Sequence, residues 1–158
     1  MSWASFASGE PLDRQTSCGL PGFRAALEAR INAARAQPRM CGSRAMPAVP
    51  PLNWDPRLFN AAARHARDMA TRNYFSHTGL DGRVLAQRVS AEGYAWTSVG
   101  ENLAAGEPSV EGVLAGWLSS PGHCSNLMSR DFVEFGVSCV LQPSDRAVPY
   151  WALVLARP

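Results

Sequence analysis

A chain of 158 residues that is 46% apolar and 18% charged has the size of one domain with a real core, and neither disorder nor a fibrous class fits it. Fifteen arginines, with no lysine, nearly balance thirteen acids and leave a formal charge of +2, which excludes the basic footprint of a nucleic-acid binder. No apolar run reaches the roughly 18 residues of a membrane span, and Met1–Ser8 has neither the basic start nor the apolar stretch of a signal peptide, so a mature or trimmed form is expected.

Residues 1–17 lack periodicity and are expected to form a flexible N-terminal arm, with a single domain over 18–158. Pro21 opens a helical stretch in which Phe23, Leu27, Ile31 and Ala34 form one apolar stripe, closed by Pro38. Pro47, Pro50 and Pro51 make 45–52 an extended connector. From Asp55, with Pro56 at the tolerated first position, a second helix buries Leu58, Ala62, His65, Ala66 and Met69. His65 shares that face and is expected to be a hydrogen-bonded core histidine. The arginines Arg57, Arg64, Arg67 and Arg72, with Asp68 among them, read as an ion-paired, solvated face of the same helix.

Residues 73–82 form a loop carrying His77. Leu85, Arg88 and Val89 then define a short third helix ended by Gly93, and Val99–Ala104 a short strand. Val110, Val113, Leu114 and Trp117 give a fourth helix, broken by Ser120-Pro121-Gly122, with one more helical turn over His123–Met128. Phe132–Leu141 and Tyr150–Leu155 are strands joined by a turn, a terminal hairpin. Helices early and strands late predict an α+β fold with an antiparallel sheet under helices.

Cys18, Cys41, Cys124 and Cys139 are even in number and contain no Cys-x-x-Cys pair, which favours disulfides over zinc or redox motifs. Four cysteines allow three pairings. The expected ones are Cys18–Cys41, which brackets the first helix, and Cys124–Cys139, from the His123 turn to the hairpin.

Three stretches place a proton-active residue among turn-formers and aromatics: Phe75-Ser76-His77, Gly100-Glu101-Asn102, and Trp117 through Ser120-Pro121-Gly122 to His123. Their order, followed by Tyr150-Trp151, resembles the CAP superfamily of cysteine-rich secretory, antigen 5 and pathogenesis-related proteins. The likeness is to its bacterial, SCP-like branch, which the arginine-for-lysine usage of GC-rich coding also suits. The resemblance implies a three-layer α-β-α sandwich with a central antiparallel sheet, and a cleft of His77, Glu101 and His123. It implies an extracellular or periplasmic, secreted protein, and the chain is expected to be a monomer. The family's second acid, three residues after the helix tryptophan, is Ser120 here, and Glu134 sits at an ordinary strand start.

Two imidazoles with a carboxylate suit zinc or another divalent cation, with His77 and His123 as candidate ligands. A metal-free histidine acting on Ser119 or Ser120 can also be drawn, but no Gly-x-Ser-x-Gly elbow supports it. The expected function is a secreted binding module for a lipid, glycan, protein or envelope ligand. The alternative is a metal-dependent hydrolase using the same cleft.

Overall fold

The computed structural model describes residues 9–158. The elements run α1 (Phe23–Arg35), β1 (Arg39–Cys41), β2 (Arg44–Met46), β3 (Asn53–Trp54), α2 (Pro56–Arg72), α3 (Leu85–Ala91), β4 (Ser98–Ala105), α4 (Val110–Ser119), α5 (Pro121–Leu127), β5 (Glu134–Leu141) and β6 (Pro149–Arg157). The main sheet has the order β3-β5-β6-β4. Its long pairs are antiparallel, and the expected hairpin of β5 and β6 forms, with Cys139 opposite Trp151. The two-residue β3 joins β5 in parallel, so the sheet is antiparallel except at one edge.

Alternation along β6 explains the layering. Trp151, Leu153 and Leu155 face α1 and α4 with Phe23, Leu27, Ile31 and Trp117. Ala152, Val154 and Ala156 face α2 and α3 with Leu58, Met69 and Val89. A strand covered on both faces reads as a continuous apolar run, as Tyr150–Ala156 does. The α2 side is lined by small residues because the helix lies close to the sheet. A Cβ at Gly136 would collide with the Phe59 backbone.

α1 departs from the expected stripe in its last turn, where Arg35 and not Ala34 is buried. Its guanidinium donates to the carbonyls of Pro50, Leu127, Ser129 and Phe132. An arginine inside is tolerated because four acceptors meet its planar donors. Burial lowers its pKa to about 10.

The disulfides differ from the expected pairing. Cys18 bonds to Cys139 and Cys41 to Cys124, with Cα separations of 5.2 and 5.4 Å. Thirteen helical residues span about 20 Å, so Cys18 and Cys41 are held at opposite ends of α1, beyond the few ångströms a disulfide bridges. The strand-like contact of Ser17 with Cys139 brings the first pair together, with reciprocal backbone bonds from Cys18 to Cys139 and from Cys139 to Thr16. The β1–β2 hairpin, which the proline-rich reading of this region did not anticipate, carries Cys41 to α5. Residues 1–8 of the expected arm lie outside the described residues. In the described part, Glu10 pairs with Arg67 and Thr16 and Ser17 are buried, while 11–15 are exposed.

Candidate functional site

Three elements position the residues expected to line a cleft. α2 ends at Asn73, whose left-handed conformation turns the chain into the loop that carries His77. That loop is held at two successive carbonyls. His65 Nε2 donates to Ser76 O at 2.7 Å from the buried face of α2, and Arg88 Nη2 donates to His77 O at 2.8 Å from α3. β4 supplies Glu101 and Asn102. Asn102 Nδ2 donates to His123 O at 3.0 Å, and its Oδ1 accepts from Asn126 at 2.9 Å, which anchors α5 to the strand. α5 begins at Pro121, earlier than expected, with proline at the tolerated first position.

The structure thus brings His77 and Glu101 into direct contact, with His77 Nδ1 donating to Glu101 Oε1 at 2.9 Å. The same carboxylate receives both terminal nitrogens of Arg88, Nη1 on Oε2 at 2.9 Å and Nη2 on Oε1 at 3.0 Å. The Glu101 side chain is 2% exposed and that of Arg88 11%. Such a forked pair is strong and orienting. Burial opposes ionisation of Glu101, but the hydrogen bonds from His77 and Arg88 outweigh it, and the carboxyl titrates below the ordinary range.

The histidines diverge. The hydrogen bond to Glu101 raises the His77 pKa against burial and the charge of Arg88. Burial, and then the charge of His77, lower that of His123. Burial lowers His65 as well, followed by Arg88, in keeping with its expected place as a hydrogen-bonded core residue.

Arg88, the partner of Glu101, is a residue that sequence reasoning places on a helix without assigning it a role. The signal is present: Leu85, Arg88 and Val89 share one stripe of α3, and an arginine on a buried stripe implies a buried acceptor. The other arginines of the α2 region behave as a paired, solvated face, with Arg57 on Asp55, Arg64 on Glu92 and Arg72 on Asp68.

The serines and Glu134 take structural places. Ser119 Oγ donates to Gly116 O, while Ser120 lies with His123, Phe75 and Glu107 along a groove between β4 and α4. Glu134 accepts from the Tyr94 hydroxyl at 2.7 Å. Among the described residues no group of three His, Cys, Asp or Glu is arranged to hold a metal. Both Glu101 oxygens are bonded to Arg88 and His77, and of the two expected metal ligands His123 lines the groove with Ser120 while His77 does not. The two imidazoles do not make the closed four-ligand set of a structural zinc centre.

Residues 28–155 match the profile of the cysteine-rich secretory protein family, CAP. The chain is 31% identical over 90 residues to YkwD, an uncharacterized protein of Bacillus subtilis, covering 57% of this chain and 35% of that protein. A solved extracellular protein containing an SCP domain from Bacillus anthracis is 32% identical, with a TM-score of 0.62 over 70% of this chain and 35% of that one. An outer surface protein from Borrelia burgdorferi superposes with a TM-score of 0.74 at 19% identity, covering 95% and 98% of the two chains. The chain therefore spans about a third of the length of the two Bacillus proteins, and its likeness to the Borrelia protein is one of fold.

Proposed function

From the premise that the chain belongs to the cysteine-rich secretory protein family, we propose that it is an extracytoplasmic recognition domain. Its cleft, around His77, Glu101 and His123, takes up a lipid, glycan, protein or other envelope ligand without chemically changing it. The observation that carries this reading is the state of Glu101. Both its oxygens are hydrogen-bonded to Arg88 and His77, and its side chain is buried, so it orients His77 instead of moving a proton or ligating a metal. A general base works best with a pKa near the operating pH, and these hydrogen bonds hold Glu101 below the ordinary carboxylate range, away from that role. The two disulfides favour an oxidising compartment, in keeping with a secreted protein.

A divalent cation such as zinc would be held by the His77 and His123 imidazoles, His77 through the Nε2 left free by its bond to Glu101, with water completing the shell. Bound there it would supply a Lewis acid. The metal-dependent hydrolase is the second reading and lacks a free carboxylate beside these imidazoles.

The test incubates purified protein with neutral and anionic phospholipid vesicles, envelope glycan and peptide panels, with and without chelator. Binding and products are both measured. Saturable binding without products, weakened in His77→Ala and His123→Ala, is expected. Chelator-sensitive turnover lost in both variants would overturn the recognition reading.

A further inference from the structure

The sheet leaves β4 at a free edge. A groove of about 380 Å³ runs along that edge, between Leu103–Ala105 and the face of α4 that carries Gly116 and Ser120. Trp117 Nε1 donates to Leu103 O from α4, and Asn126 Nδ2 reaches Glu101 O, so Glu101 and Leu103 turn their carbonyls away from β6. Strand alternation then turns the N–H and C=O of Ala105, an exposed residue, to the same free edge. Side chains already cap the edge at Glu101 and Leu103, so it is at Ala105 that the edge stays open to pair with an extended chain.

The charge of the groove comes from Glu107. Its carboxylate makes no hydrogen bond or ion pair among the described residues. It lies over α4, 2.6 Å from where a Gly112 Cβ would stand and 3.9 Å from that of Gly116. The two glycines, one helical turn apart, leave nothing between the carboxylate and the groove. Ser120, a further turn along, leads to His123, whose imidazole burial keeps toward its neutral form. Phe75, 55% exposed, adds an apolar wall.

We propose that this groove binds an extended peptide segment with a basic side chain. Its backbone pairs with β4 at Ala105, its cation meets Glu107, and the chain continues past Ser120 toward His123. The inference rests on the recognition reading of the cleft and names its ligand class.

The test is a heteronuclear NMR titration of 15N-labelled protein with acetyl-Val-Lys-Val-Lys-Val-amide, the same peptide with Glu for Lys, and a glucosamine tetramer as a cationic glycan. Saturable shifts are expected for the amides of Ala104, Ala105 and Gly116 with the lysine peptide. They should weaken with added salt and be absent with the acidic peptide. Glu107→Gln should weaken binding about fivefold, the size of one exposed ion pair. Gly116→Leu fills the groove at a position where a larger residue also favours helix, so it should abolish binding while the melting temperature holds or rises.

Lysine-peptide binding indifferent to both substitutions, or no shift at Ala105, overturns the proposal. So does Glu107-dependent binding of the glucosamine tetramer with none of the peptide. Peptide fragments detected by mass spectrometry after the titration would instead overturn the recognition reading and leave the groove assignment standing.

Discussion

Replacing Arg88 with methionine keeps much of the aliphatic stem and removes the guanidinium that holds both Glu101 oxygens and the His77 carbonyl. Glu101 would then be a carboxylate with a 2% exposed side chain and His77 as its one remaining side-chain partner. Breaking one side of a buried pair costs roughly 3 to 5 kcal/mol. The His77 contact offsets part of that, and about 3 kcal/mol is expected at pH 7. For a domain of this size such a loss lowers the melting temperature by roughly 6 to 12 °C. Arg88 opposes protonation of His77 and Glu101 favours it, so removing the arginine should raise the His77 pKa above its already raised value. The assays are urea unfolding at pH 7 and an NMR titration of the His77 ring proton in wild type and Arg88→Met. Arg88→Lys should recover charge but not the forked geometry, and fall between them. A loss under about 1 kcal/mol with an unmoved His77 titration would refute the reasoning.

Non-reducing peptide mapping should recover the pairs Cys18–Cys139 and Cys41–Cys124. Opening either by a double Cys→Ser change, which releases loops with separations of 121 and 83 residues, should cost about 4 to 5 kcal/mol by loop entropy, read by denaturant unfolding. His65→Ala should cost about 1 to 3 kcal/mol, because it opens a hole in α2 and leaves Ser76 O without its donor; an unchanged unfolding midpoint would count against this. Folding lowers the His65 pKa, so the unfolded chain binds more protons there. Its stabilisation is complete above the ordinary imidazole value of about 6.5 and is lost as pH falls below it. Stability measured between pH 7.5 and 5 should therefore fall less steeply in His65→Ala than in wild type.

Much of the fold is legible because its helices and the β5–β6 hairpin follow strong periodicities. The apolar stripe of α2 is an example, as is the Tyr150–Ala156 run that only a doubly covered strand explains. Features set by tertiary contact are not legible. β1 and β2 are three residues each and β3 two, too short for a period to show. The disulfides depend on which distant segments meet: Ser17 beside Cys139, and β1 beside α5. Arg35 and Arg88 escape a sequence reading for a shared reason. A buried arginine is licensed by acceptors that assemble only in the fold, carbonyls for one and a carboxylate for the other. His77, Glu101 and His123 stand out through the spelling of their motifs, since the intervals between them carry no local signal.

The chemistry open to His77, Glu101 and His123 turns on the charge placed beside Glu101. A second carboxylate there would have raised one pKa of the pair through like-charge repulsion and produced a group able to exchange protons near neutrality. The sequence has Ser120 where the family resemblance calls for such an acid, and the fold sets a guanidinium against Glu101 instead. The shift is reversed: Glu101 titrates below its ordinary range and acts near pH 7 as a fixed negative charge, which orients His77. Proton-active character passes to the two imidazoles, with His77 moved up and His123 moved down. Between their values His77 carries its proton on Nε2 as a donor, while His123 keeps a free ring nitrogen as an acceptor. A donor and an acceptor beside a groove that holds the unpaired carboxylate of Glu107 suit a ligand with its own polar backbone and a positive charge.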